Sequence, residues 1–249
     1  IETEIDGVVC VKAEKSSLIP AAALILCCLV FLLLSCLTCS RIGRMASVLA
    51  EKTPKTIVVD AGHGGEDGGA QGKSRVLEKD LNLAIAKDLQ SLLQAAGFRV
   101  VMTRTSDTAL SNDLDTIRAR KTSDLKNRLR LVESQNSCIL VSIHQNFFTQ
   151  SRYSGSQLFY SQHSDDSKVL AEAIRARITG LLQKNNTRKC KPATSSIYLL
   201  WNTKVPAVLV ECGFLSNDEE AALLNNQQYQ KKMAFSIYCG LLDYCQTVS

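Results

Sequence analysis

Three short apolar runs, each ending at or beside a titratable residue, constrain this chain more than any other feature. Thr56–Asp60 reads TIVVD, Cys138–Ile143 reads CILVSI and runs into His144, and Ala207–Glu211 reads AVLVE. Unbroken apolar runs of this length suit strands buried on both faces. Segments of helical period lie between them. Leu77–Ala96 puts Leu81, Ile85, Leu89 and Leu92 on one side and stops at Gly97. Ser123–Gln135 is a basic amphipathic helix with Leu125, Leu129 and Val132 expected inward. Asp165–Leu182, Asp218–Asn225 and Gln228–Cys245 read as further helices, and Phe98–Thr103, Ser156–Tyr160 and Ile197–Leu200 as further strands. The alternation predicts an α/β fold: a single sandwich domain with a mixed, mainly parallel central sheet flanked by helices. Right-handed crossovers then gather the loops after the strands at one edge, where such sheets bind ligands.

Ahead of this pattern stands a stretch of a different kind. No charged residue occurs from Ser16 to Ser40, and Leu18–Cys39 is almost wholly apolar. At ~1.5 Å per residue it can cross a hydrocarbon core about 30 Å thick. The expected organisation is an N-terminal flank at 1–15, a transmembrane or signal helix at 16–40, a polar linker at 41–55 and a folded domain at 56–246. A retained anchor, a cleaved signal and a lipoprotein signal around Leu33-Leu34-Ser35-Cys36 all remain open at this point.

The net charge is +5, while residues 1–15 carry Glu2, Glu4, Asp6 and Glu14 against Lys12 and Lys15. The basic surplus therefore lies entirely after the apolar stretch and suits an anionic polymer. No Lys/Arg run interleaved with aromatics follows, which argues against nucleic acid. With 45% hydrophobic residues and only 4 Pro, the chain is neither disordered nor collagen-like. Of its 10 cysteines, Cys27, Cys28, Cys36 and Cys39 fall in the apolar stretch, where Cys36-x-x-Cys39 has no metal partners. Cys138 and Cys212 fall in strands, and Cys239 and Cys245 do not share a helix face. Buried free thiols are expected rather than a disulfide framework.

Chemistry collects at the strand ends. Six of the 13 glycines lie in residues 62–72, directly after the first strand. The segment has neither G-x-x-x-x-G-K-[ST] nor G-x-G-x-x-G, so it is not read as a nucleotide loop. It carries His63. The strand at 138–143 leads into His144, the last strand ends in Glu211, and Glu78 opens the first long helix. Taken singly, each residue has a plain explanation: a loop histidine, a carboxylate favoured by a helix dipole, a paired acid. Together at one sheet edge, two imidazoles and a carboxylate with one open position match a catalytic zinc site. Strand alternation turns Cys212 away from Glu211. His163, the third histidine, is read as solvated.

DAGHGG at 60–65, LEKDLNL at 77–83, SIHQN at 142–146 and VECGFLSN at 210–217 resemble, in order, the motif blocks of the zinc-dependent N-acetylmuramoyl-L-alanine amidases. TRTSDT at 103–108, NTRK at 186–189 and IYLLWN at 197–202 are similar to the spore-cortex, germination-specific branch of that family. The resemblance covers about 56–246 and implies an α/β sandwich. It implies that His63, Glu78 and His144 ligate Zn2+ and that Glu211 is the catalytic acid/base. Asn146 is a further substrate or supporting group on the same grounds. The implied substrate is peptidoglycan, cut between N-acetylmuramic acid and L-Ala, outside the cytoplasm at the cell wall or spore cortex. Residues 18–39 would hold the chain at the membrane. Phe147-Phe148 depart from the family, where small residues are common, and bear on substrate fit rather than on the ligands. The interval from His144 to Glu211 is filled by regular elements, with no inserted blocking helix, which leaves control to expression, localisation or an accessory cell-envelope protein. Two rivals remain: a zinc peptidase of carboxypeptidase-like layout, and a catalytically silent wall-binding module.

Overall fold

In the computed structural model, the residues described are 26–32, 35, 56–72 and 75–248. Residues 26–32 and 35 are helical. Among the described residues, no helix is long and apolar enough to cross a membrane. The predicted flank at 1–15, the linker at 41–55 and most of the apolar segment at 16–40 lie outside the described residues.

The remaining chain forms six strands and six helices. The strands are β1 (Thr56–Ala61), β2 (Arg99–Met102), β3 (Cys138–Asn146), β4 (Gln157–Tyr160), β5 (Lys191–Pro192) and β6 (Ala207–Phe214). The helices are α1 (Glu78–Ala95), α2 (Ile117–Glu133), α3 (Asp166–Leu181), α4 (Tyr198–Asn202), α5 (Asp218–Leu224) and α6 (Gln227–Thr247). The sheet order is β2-β1-β3-β6-β4-β5. β2, β1, β3 and β6 run parallel, and β4 runs antiparallel to β6. The sheet is thus mixed and mainly parallel. The chain goes outward from β1 to β2, then returns past β1 to β3. That reversal leaves a crevice beyond the carboxyl ends of β1 and β3.

Alternation gives the sheet two faces. Ile57, Val59 and Ala61 of β1, Ile139, Val141 and Ile143 of β3, and Val208, Val210 and Cys212 of β6 form one face. They pack on Leu81, Ile85 and Leu89 of α1, Leu170 and Ile174 of α3, and Ile237 and Leu241 of α6. Burial of each such side chain stabilises by about 1.5–3 kcal/mol. The opposite face carries Val58, Leu140 and Leu209, covered by Val132 of α2 and by Leu199 and Leu200 of α4. α3 therefore packs on the far side of the sheet from α2 and α4.

Three expectations need correction. Ile197–Leu200 is not a strand: residues from Tyr198 form α4. A four-residue apolar run fits either element, and packing on the sheet decides it. α2 begins at Ile117, six residues before the predicted start, because Thr116 caps it through Oγ1 accepting from the Ala119 N–H at 3.1 Å. Leu125 does not turn inward but is 38% exposed, whereas Arg128 is buried at 2%. No disulfide joins the described cysteines; of these Cys138, Cys212 and Cys245 are buried as expected, while Cys190 and Cys239 are half-buried and Cys27 and Cys28 exposed.

Candidate metal centre and active-site cleft

β1 ends at Ala61, and the chain turns through Gly62 into His63, whose φ is +62°. That conformation is strained for a residue with a Cβ and persists only where the surroundings enforce it. Here the His63 carbonyl accepts from Arg128 Nη2 at 2.6 Å, and ring Nδ1 lies 2.8 Å from Asp67 Oδ2. His63 Nε2 is left 3.2 Å from Glu78 Oε1. β3 delivers His144, whose Nδ1 lies 3.0 Å from the same oxygen. Glu78 is the first residue of α1 and is buried. Its Oε2 accepts from Ala70 N at 2.8 Å, and its Oε1 accepts from Gln145 N at 3.0 Å and Asn82 Nδ2 at 3.3 Å.

Two glycines make this convergence sterically feasible. A Cβ at Gly62 would lie 2.2 Å from the His144 ring, and one at Gly69 would lie 2.6 Å from Glu78 Oε2. The glycine-rich loop is thus a cradle for donor groups.

Glu211 stands directly across from His144 in the β3–β6 register, on the same face of the sheet. It has a buried Oε2 with no hydrogen-bond partner among the described residues. Burial pushes its pKa up to about 7, and the Glu78 charge adds to that while the two imidazoles oppose it. For Glu78, burial also favours the neutral acid, but hydrogen bonds and charge from both imidazoles outweigh it. The carboxyl is held far below its ordinary range. His63 shows the converse: burial lowers its pKa, yet Asp67 and Glu78 carry it up to about 9.

Beneath the cluster lies a second buried charge system. Arg128 Nη1 donates to Asp60 Oδ1 at 2.6 Å and to Ala61 O at 2.8 Å, while its Nε donates to Asp124 Oδ2 at 2.7 Å. Ser142 and Thr103 also donate to Asp60. Burial alone would raise the Asp60 pKa, but the charges of Arg128 and His144 and hydrogen bonds from Ser142 and Arg128 bring it down to about 2. His63, His144, Glu211, Asp60 and Arg128 line a cleft of about 300 Å³, walled also by Lys121, Leu125, Tyr198 and Leu199; Glu78 is not among its lining residues.

His63, Glu78, His144 and Glu211 are therefore brought together. Asn146 is not among the residues lining the cleft. It follows a register shift in β3, and its carbonyl accepts from Leu215 N at 2.8 Å. Phe147 and Phe148 are exposed, and His163 is exposed with its ring edge-on to Trp201. Asp67, Asn82, Gln145, Asp60 and Arg128 were not singled out by the sequence reading. Asn82 had a local signal, since it lies one helical turn after Glu78. Arg128 had none, because a basic residue on a basic helix reads as solvated.

The donor set suits zinc. One atom each from His63, Glu78 and His144 lie within 4.8 Å of one another. Two ligands at roughly 2.0–2.1 Å from tetrahedral zinc stand about 3.3 Å apart, close to the 3.0 and 3.2 Å seen between the imidazole nitrogens and Glu78 Oε1. Three protein donors, two of which (His63 and His144) line the cleft, leave a coordination position open, as catalytic rather than structural sites do. Such a triad beside an unpaired carboxylate defines a class, that of sites able to perform metal-assisted hydrolysis.

Comparison with known proteins narrows the class. The family profile described as N-acetylmuramoyl-L-alanine amidase matches residues 57–243. A germination-specific N-acetylmuramoyl-L-alanine amidase of Bacillus subtilis is 41% identical over 191 residues, spanning 76% of this chain and 79% of that one. The amidase LytC of the same organism is 33% identical over 192 residues, spanning 76% of this chain and 35% of its own. Among solved structures, the CwlD amidase of Clostridioides difficile, in complex with the GerS lipoprotein, shares 42% identity. It superimposes with a TM-score of 0.75 over 77% of this chain and 98% of that one. This chain belongs to the N-acetylmuramoyl-L-alanine amidase family. Its reaction is hydrolysis of the amide between N-acetylmuramic acid and L-Ala in the cell wall.

Proposed function

We propose that His63, Glu78 and His144 hold a catalytic Zn2+ and that Glu211 is the acid/base of the hydrolysis. The observation that carries this is the buried Glu211 Oε2, which has no hydrogen-bond partner among the described residues, in register with His144 beside the three-donor cluster. Bound zinc would supply Lewis-acid polarisation of the scissile carbonyl and acidify the attacking water. Glu211 accepts the proton of that water and delivers it to the departing L-Ala nitrogen. Arg128 and Asp60 keep the β1 end in place beneath it.

The setting of the reaction follows from the relatives. Similarity to a germination-specific amidase favours peptidoglycan of the spore cortex as substrate and action outside the cytoplasm. A lipoprotein bound to the CwlD amidase favours an accessory envelope protein for this chain too. The uncharged residues 16–40 act as a membrane anchor or signal, residues 41–55 as linker and residues 56–246 as catalytic domain. The carboxypeptidase-like and silent-module readings lose ground to the family membership and to the unpaired Glu211.

Purified peptidoglycan digested with the full chain and read by mass spectrometry should yield free stem peptides and peptide-less glycan. Glu211→Gln should keep zinc and thermal midpoint yet lose roughly 10²–10⁴ in rate, the worth of a positioned acid/base. Near wild-type turnover by a folded, zinc-loaded Glu211→Gln chain would remove Glu211 from the mechanism.

A further inference from the structure

We propose that Asp67 and Lys121 form a positioning pair that sets His63 for the metal, Asp67 orienting the ring and Lys121 orienting Asp67. The inference rests on the reading of His63 as a ligand. It starts from the division of labour on one carboxylate. Asp67 Oδ2 lies 2.8 Å from His63 Nδ1, while Asp67 Oδ1 lies 2.8 Å from Lys121 Nζ and accepts from Gly69 N at 3.3 Å. Its backbone is fixed as well: Gly64 N donates to Asp67 O at 2.9 Å, and Asp67 N donates to Gly64 O at 3.2 Å. Both oxygens of Asp67 are therefore engaged, and the side chain has one direction to point.

That direction has a chemical consequence. A neutral imidazole carries a single N–H. Donated from Nδ1 to Asp67, it leaves the lone pair on Nε2, the nitrogen that faces Glu78 Oε1. Carboxylates in this position fix the tautomer and ring plane of a ligating histidine and raise its basicity. Neighbouring Glu66 does not compete for the ring, since both its oxygens are taken by Arg120.

Lys121 gives the arrangement its anchor. It lies on α2 seven residues before Arg128, two turns along the same helix face. Arg128 grips the His63 carbonyl, and Lys121 reaches the ring through Asp67. One helix thus holds both ends of a residue whose positive φ is not self-sustaining.

The test is zinc affinity, measured by chelator competition on the purified full chain, with the thermal midpoint of the metal-free protein read alongside. Asp67→Ala should weaken zinc binding by roughly 10–100-fold, while the metal-free midpoint falls only modestly, through loss of the His63–Asp67 pair. Asp67→Asn, which keeps an acceptor for Nδ1–H but loses the charge, should recover part of the loss. Lys121→Met should weaken binding several-fold and add nothing to Asp67→Ala. Affinity within twofold of wild type in Asp67→Ala overturns the proposal. Should that variant fail to fold, wild-type affinity in Asp67→Asn does the same. Additive losses in the double variant overturn the route from Lys121 through Asp67. His63→Ala in the same titration separates the two layers: retained stoichiometric zinc there would refute the ligand assignment itself, not only its support.

Discussion

On one face of β1, β3 and β6 the side chains run Ile57, Val59, Ala61; Ile139, Val141, Ile143; Val208, Val210, Cys212, apolar until Gln145 follows Ile143 near the end of β3. On the other face Val58 gives way to Asp60, Leu140 to Ser142 and His144, and Leu209 to Glu211. The strands are shared, and only alternate positions toward their carboxyl ends differ. The apolar face is held by non-directional burial and needs only volume filled. The polar face must satisfy each group it buries. Asp60 takes Arg128, Thr103 and Ser142, and Glu78 takes Ala70, Gln145 and Asn82. Glu211 differs, since its Oε2 has no partner among the described residues. A catalytic cleft is thus set into a core without interrupting the face that stabilises it.

Three substitutions or conditions probe this contrast. The largest effect is expected from Arg128→Met, which leaves Asp60 buried and uncompensated. Breaking a buried pair on one side costs about 3–5 kcal/mol. Because the His63 carbonyl loses its donor while Ala61 O keeps Arg104 Nε, zinc affinity should fall together with stability. Denaturant unfolding and zinc titration check both, and a variant with unchanged zinc affinity would show that the two layers of the polar face are independent.

Leu89→Ala makes the complementary change on the apolar side. It should cost about 2–5 kcal/mol through lost burial and a residual cavity. Zinc affinity and turnover per folded molecule should remain those of the wild type. A drop in either would mean that the faces are coupled through the strands.

The smallest effect is electrostatic and set by pH. Asp60 is depressed from 3.8 to about 2 in the folded chain. Its contribution, about 2 kcal/mol, is fully present above the unfolded pKa and lost as pH falls from about 4 toward 2. The difference in unfolding free energy between wild type and Asp60→Asn should shrink through that window. In Leu89→Ala the acid-induced loss should be the same as in the wild type. A difference from Asp60→Asn that does not vary between pH 4 and 2 would show that Asp60 is not charged in the native state.

The sequence is most informative where the signal is local. Thr56–Asp60, Cys138–Ile143 and Ala207–Glu211 were legible because buried strands are short and unbroken, and all three fall within observed strands. It is least informative where two structures satisfy the same local pattern. Ile197–Leu200 is apolar enough for a strand, yet docking of Leu199 and Leu200 beneath the sheet makes it part of α4. Leu125 and Arg128 exchanged their expected environments, because α2 packs beside a buried Asp60 that no helical period reveals.

The sequence by itself determined that His63, His144 and Glu211 lie at strand ends and Glu78 at a helix start, since periodicity and chain breaks are properties of neighbouring residues. Tertiary structure decided which sheet face those side chains share and that Glu78 Oε1 lies between two imidazoles. It also decided that His63 is gripped from behind by α2. Those outcomes depend on register between β3 and β6 and on contacts across long separations, such as the 68 positions between Arg128 and Asp60. Burial and pairing across such separations are fixed only when the whole core closes, so no local pattern can encode them.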